Sequence, residues 1–142
     1  CIIESNIGGS IMCIFCDIVS GKIPNYTIYE DDKVLAFLDV NPTSKGHTLV
    51  VPKSHCSSFL DCEVEDLNHC MQVAQQLANQ IKEKLNCDGI NILTNICQAA
   101  GQSVMHFHIH IIPRYENDDH LTLQFNSIGE VDLESICKQI TE

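Results

Sequence analysis

The sequence predicts an α+β protein, a mostly antiparallel five-stranded sheet carrying one long helix and a short C-terminal helix. Three observations predict it. Short apolar or alternating runs recur at 27–30, 33–40, 47–51, 90–95 and 106–112, as strands require. One long stretch, 62–85, has apolar residues at three- and four-residue steps, as an amphipathic helix requires. The order is a hairpin meander, then the long helix, then a two-strand return.

The elements follow in order. Residues 1–11 contain Gly8-Gly9-Ser10 and no periodicity, so they are expected to form a flexible leader before one domain over 12–142. Ile14, Phe15 and Ile18 open the folded part in a helical turn ending at Gly21. Residues 27–30 and 33–40 read as a hairpin around Asp31-Asp32. Val34, Ala36 and Leu38 share one face, and Leu35, Phe37 and Asp39 the other. The turn-rich segment 41–46 leads into a strand over 47–51, closed by Pro52. In the long helix Val64, Leu67, Met71, Ala74, Ala78, Ile81 and Leu85 form the apolar stripe. Asp61 is the expected N-cap, and Asn86-Cys87-Asp88-Gly89 the stop. Residues 90–95 form a fourth strand, a small-residue loop over 98–103 precedes the fifth, and 130–140 form the closing helix.

Composition narrows the function classes. The chain has 142 residues and a net charge of −11. It lacks the basic footprint that a nucleic acid polymer needs, whereas a few imidazoles and backbone N–H groups can still hold one small anion. No run approaches the ~18 apolar residues of a membrane span, and no secretory leader is visible. Nine cysteines are an odd count with no disulfide framework, as expected for mostly reduced thiols in the cytoplasm. Cys56, Cys62, Cys70, Cys87, Cys97 and Cys137 are scattered along the chain and read as small core or surface residues. Their scatter argues against a redox or metal-storage cluster.

Residues His106-Phe107-His108-Ile109-His110-Ile111-Ile112 carry the most chemistry. On a strand the three histidines share one face, each roughly 6.6–6.8 Å from the next. Such a row suits nucleophilic chemistry, anion binding or a metal, with structural histidines as the plain alternative. Gly101-Gln102-Ser103 just before it offers a glycine turn with side-chain and backbone donors, a cradle for a phosphate oxygen or a simple inter-strand turn. Cys13-x-x-Cys16 has the spacing of a structural zinc site but supplies only two ligands.

Several of these segments, in this order, resemble the histidine triad (HIT) superfamily. The run from Gly101 to Arg114 is similar to the family's His-φ-His-φ-His-φ-φ signature, where φ is apolar. Segments 13–19, 35–40, 46–55 and 90–95 resemble its opening segment, its central strands and the strand that carries a functional asparagine. The resemblance covers roughly residues 12–116 and points to the Hint-like, bacterial-type branch.

The resemblance implies a HIT-like fold and a mechanism. His108 would attack the α-phosphorus of a nucleotide and form a nucleotidyl-histidine intermediate that water hydrolyses. A backbone carbonyl near His47 would hold the far ring N–H of the nucleophile. His110, Ser103, Gln102 and Asn95 would bind phosphoryl oxygens. Asp39 would accept the ribose hydroxyls, although a turn cap before Asn41-Pro42 also explains it. Ile14, Phe15, Ile18, Phe37 and Leu49 would sandwich a purine, ordinary core being the alternative. The resemblance also joins His55 and His106 to Cys13 and Cys16 in a closed structural zinc site, which removes His106 from the chemistry. His69 and His120 are expected to be solvated. The implied activity is that of a phosphoramidase or hydrolase of purine nucleoside monophosphate esters or amidates. A Fhit-like dinucleoside polyphosphate hydrolase and a non-catalytic nucleotide-binding scaffold are the alternatives. A homodimer is implied, with the long helix and residues 90–95 at the interface. No organic cofactor, nucleic acid polymer or membrane partner is expected.

Overall fold

A computed structural model describes residues 13–142, so the leader expected over 1–11 lies outside the described residues. Helix α1 (Ile14–Val19) is followed by strands β1 (Thr27–Glu30), β2 (Val34–Leu38) and β3 (Thr48–Pro52). Then come the long helix α2 (Val64–Leu85), β4 (Gly89–Leu93), a 3₁₀ turn at Gln98–Ala100, β5 (Ile109–Arg114) and α3 (Leu133–Thr141). The five strands form one sheet in the order β1-β2-β3-β5-β4, with every neighbour antiparallel. This is the predicted α+β architecture.

Strand alternation sorts the core into two layers. Val34, Ala36 and Val50 join Phe107, Ile109 and Ile111 beneath Val73, Ala74, Leu77 and Ile81 of α2. Leu35, Phe37, Leu49 and Val51 pack on the other side against Phe15 of α1. Both faces of β2 and β3 are therefore covered, and their residues are buried almost throughout. Burying each large aliphatic side chain contributes about 1.5–3 kcal/mol, so the two layers dominate the stabilisation.

Local chemistry sets the ends of α2. Asp61 does not cap it. The helix begins at Val64 after Glu63, whose side chain makes no capping bond. The Asp61 carboxylate instead accepts the Ser57 and Ser58 N–H groups at 3.0 and 2.8 Å, closing the preceding loop on itself. At the other end Asn86 adopts a left-handed conformation (φ 52°) and stops the helix as expected. Acidic residues in the first turn and Lys82 and Lys84 in the last complement the helix dipole.

The strand expected over 106–112 is paired in the sheet only from Ile109. Main-chain groups before it bond elsewhere: the Phe107 N–H donates to the Cys56 carbonyl at 2.8 Å, and the Thr94 hydroxyl donates to the His108 carbonyl at 2.7 Å. The alternation of faces survives, because Phe107, Ile109 and Ile111 all enter the layer under α2.

Past β5, the Arg114 guanidinium binds Asn91, Asp119 and the Leu121 carbonyl, tying the outgoing chain to the sheet edge. Helix α3 buries none of its residues. Among the described residues no helix is long and apolar enough to cross a membrane.

Candidate active site and metal centre

The turn before β3 positions the first site residue. Gly46 has φ +93°, a conformation that favours glycine, and a Cβ there would collide with the Leu85 side chain. The Thr48 hydroxyl donates to the Gly46 carbonyl at 2.8 Å and locks the turn. His47 follows, buried, with its Nδ1 accepting the Thr43 N–H at 3.2 Å. That bond puts the ring hydrogen on Nε2, which lies 2.9 Å from Nδ1 of His110. His47 therefore donates to His110, and the His110 hydrogen sits on Nε2 as a donor.

His108 is arranged the other way round. Its Nδ1–H donates to the His106 carbonyl at 2.7 Å, leaving the Nε2 lone pair available. The carbonyl expected near His47 is thus the His106 carbonyl, two residues back in the same segment. The His108 and His110 rings are in contact, with centroids 4.8 Å apart.

Burial holds the imidazoles neutral. It pushes the His108 pKa below the ordinary 6.5, against the opposing pull of its bond to His106 and of Asp39. His110 is pushed down to about 4 by burial and then by its neighbours His108 and His47. Burial also lowers His47, with Asp39 opposing. The arrangement offers one uncharged nucleophilic nitrogen beside one fixed N–H donor.

Asp39 fits the turn-cap reading given to it. One oxygen accepts the Asn41 N–H at 2.8 Å and caps the turn, and the other lies 3.8 Å from His47 Nε2. The Phe15 ring meets His108 edge-on at 5.0 Å and Phe37 at 5.7 Å, linking the triad to an apolar floor that includes Leu49 and the half-buried Ile18. Ile14 is 48% exposed at the outer side of α1.

The loop before the triad departs from expectation at Gln102. This residue is buried, and its two N–H bonds go to the carbonyls of Ser57 and Val104 at 2.6 and 3.0 Å. Its oxygen accepts the Cys97 N–H at 2.9 Å. With both donors committed, the side chain shapes the loop and has none left for a phosphoryl oxygen. Gly101 takes φ +102°, which the glycine allows, and its carbonyl accepts from Asn95 Nδ2 at 3.4 Å. Ser103 is exposed at the mouth of the loop. Thr94 escaped the sequence reading, and its place beside Asn95 was the available signal.

Cys13, Cys16, His55 and His106 converge. One ligand atom from each lies within 4.8 Å of all the others. The Nδ1 atoms of His55 and His106 are 3.1 Å apart, and His106 Nδ1 lies 3.4 and 3.5 Å from the two sulfurs. A tetrahedron with Zn–N of about 2.0 Å and Zn–S of about 2.3 Å has edges of roughly 3.3–3.8 Å, near these separations, so the donor set suits a zinc ion. The far nitrogen of His106 donates to the Pro52 carbonyl at 2.8 Å, which leaves Nδ1 as the ligand atom. Burial and the neighbouring Cys13 push the Cys16 thiol up to about 11, a proton that a bound metal would displace.

The other histidines and cysteines add two corrections. His69 is half-buried and lies 2.5 Å from Asp31, which also accepts the Tyr29 hydroxyl, while His120 is exposed beside Asp118. Among the described residues seven cysteines are free thiols, whereas Cys97 is disulfide-bonded.

Comparison with known proteins agrees with this geometry. The family model described as the HIT domain matches residues 20–117. An uncharacterised HIT-like protein of Methanocaldococcus jannaschii is 46% identical, covering 91% of this chain and 98% of its own length. The crystal structure of a HIT family protein from Bacillus anthracis superposes with a TM-score of 0.86 at 40% identity, covering 92% of this chain and 93% of that one. A zinc-bound histidine triad family protein from Mycobacterium smegmatis gives 0.74 at 40% identity over 84% of this chain and 86% of its own. Adenylylsulfatase HINT3 of Arabidopsis thaliana is 40% identical over 75% of this chain and 54% of its own. The chain belongs to the histidine triad family.

Proposed function

We propose that this protein is a phosphoramidase or hydrolase of purine nucleoside monophosphate esters or amidates, acting from its single domain over 12–142. The observation that carries the reading is the His108 ring, whose Nδ1–H is held by the His106 carbonyl so that the Nε2 lone pair of the neutral ring is kept available. That nitrogen attacks the α-phosphorus; the P–N bond forms and the bond to the leaving group breaks, the leaving group taking its proton from water. Water then attacks phosphorus, the P–N bond breaks, and its electron pair returns to Nε2 as the nucleoside monophosphate departs.

His110 Nε2–H, oriented by His47, steadies the charge that develops on a phosphoryl oxygen, with Ser103 and Asn95 at the loop mouth. Asp39 receives the ribose hydroxyls, and Ile14, Phe15, Ile18, Phe37 and Leu49 hold the base. The existence of an adenylylsulfatase relative supports nucleotidyl chemistry in this family. Zinc on Cys13, Cys16, His55 and His106 would be structural, a reading supported by the zinc-bound mycobacterial relative. A closed four-ligand zinc supplies rigidity and no open coordination position. The same reading includes a cytoplasmic homodimer.

The test is hydrolysis of an adenosine 5′-phosphoramidate by the zinc-loaded wild type and by His108→Ala. Wild type turns over, and the variant loses about 10³-fold or more in kcat. Turnover retained in the variant removes His108 as nucleophile. An inert wild type shifts the reading to a dinucleoside polyphosphate substrate or to nucleotide binding without catalysis.

A further inference from the structure

Thr94 stands where the pairing between β4 and β5 gives out. The two strands pair from Gly89 with Arg114 to Leu93 with His110, and β4 ends at Leu93. One residue further on, the half-buried Thr94 side chain continues the link. Its hydroxyl donates to the His108 carbonyl at 2.7 Å. Threonine suits this place. Its branched Cβ leaves few χ1 choices, so the hydroxyl is aimed by its own backbone, which leaves the sheet one residue earlier.

The His108 ring is steadied within its own segment, by the bond from Nδ1–H to the His106 carbonyl two residues back. A bond between such close neighbours orients the ring only as well as the torsions of 106–108 are held. These residues precede β5, so other parts of the fold hold them. The Pro52 carbonyl takes the His106 Nε2–H, and the Cys56 carbonyl takes the Phe107 N–H, both at 2.8 Å. Those two bonds act before the His108 Cα. The Thr94 hydroxyl acts after it, on the peptide plane that joins His108 to Ile109.

Thr94 also precedes Asn95, whose Nδ2 donates to the Gly101 carbonyl at 3.4 Å. Consecutive residues therefore reach in two directions, one to the main chain of the triad and one to the loop before it. The pair ties the backbone of His108 to the loop that carries Ser103.

We infer that Thr94 is a positioning residue for His108, holding the ring in the orientation in which Nδ1–H meets the His106 carbonyl and Nε2 keeps its lone pair. The role rests on the proposed reading of His108 as nucleophile, and Thr94 itself touches no substrate. The groups assigned to the base and ribose stand on or beside α1, β2 and β3. Loss of the Thr94 hydroxyl therefore leaves nucleotide binding alone and is felt in the attack on phosphorus.

The experiment compares the zinc-loaded full chain with Thr94→Val, which keeps the shape and removes the donor, and with Thr94→Ser, which keeps the donor. With an adenosine 5′-phosphoramidate, Thr94→Val is expected to lose about 10–10²-fold in kcat at unchanged KM, because a slightly misplaced reacting group is costly. Thr94→Ser recovers most of the rate. A second readout needs no turnover: the ring nitrogen NMR shifts of His108 in the nucleotide-free protein, with the ring neutral. Wild type and Thr94→Ser show the tautomer with its hydrogen on Nδ1, and Thr94→Val shows a mixture of both tautomers. Thermal melting checks that each variant is folded, and Thr94→Ala takes the place of Thr94→Val if the valine variant is not. A wild-type rate in Thr94→Val, a loss that lies in KM, or an equal loss in Thr94→Ser overturns the positioning role. An unchanged His108 tautomer in Thr94→Val overturns it too. An inert wild type overturns the proposed reaction instead, and the tautomer comparison still decides whether Thr94 orients the ring.

Discussion

His108 and His110 are a few ångströms apart, yet their protons are placed on opposite ring nitrogens. A main-chain carbonyl takes the His108 hydrogen, and the chain from Thr43 through His47 hands His110 an acceptor role at Nδ1. Two neutral imidazoles thereby present different groups, a free lone pair on one and an N–H donor on the other. Protonating His108 would erase its lone pair. Its folded pKa lies below 6.5, so the nucleophile is competent above that pKa and is lost as pH falls through it. The acid limb of kcat/KM for the phosphoramidate is expected to have its midpoint below pH 6.5 and to fall about tenfold per pH unit beyond it. A midpoint above 6.5 would mean that burial does not govern this ring. The shared face of His108 and His110 was legible in the sequence because alternation on a strand is a strong signal, whereas His47 was implied only by the family resemblance. The commitment of Gln102 was not, since a side chain's partners on another loop leave no local pattern.

Two elements decide whether those residues stand in the right place. The turn at Gly46 is the first. With φ +93° and the Leu85 side chain where a Cβ would go, Gly46→Ala should lower stability by roughly 1–3 kcal/mol, measured by urea unfolding. The second is α1, whose Cys13 and Cys16 face His55 and His106. If zinc holds this junction, the purified chain carries one zinc per chain by elemental analysis. A strong chelator should then lower the melting temperature of the wild type, and Cys16→Ser should lose both the zinc and the response to chelator. Equal melting curves with and without chelator would remove the metal from the account. The CxxC spacing was visible in sequence; the 3.1 Å approach of two histidine nitrogens from distant segments was not.

At the scale of the whole molecule, β4 is an edge strand of the sheet among the described residues and exposes Ile92, while Met71 is exposed on α2. Helix α3 presents Leu133 and Ile140, 72% and 79% exposed among the described residues. Unpaired strand edges and apolar surface of this extent favour association. Light scattering after size-exclusion chromatography is expected to give twice the 15.9 kDa mass of the chain. A species of 15.9 kDa would refute the homodimer.

The sequence by itself determined the class of fold and the face on which the histidines lie, because period-2 and period-3.6 burial patterns are local consequences of backbone geometry. It also showed the family, through motifs only a few residues long. Only the tertiary structure decided which nitrogen of each of His108 and His110 is free, and that Asp61 closes a loop and leaves α2 uncapped by a side chain. Those outcomes depend on hydrogen bonds and contacts made across the fold, such as Thr94 with His108, Cys56 with Phe107 and Ser57 with Gln102. No periodicity along the chain encodes them.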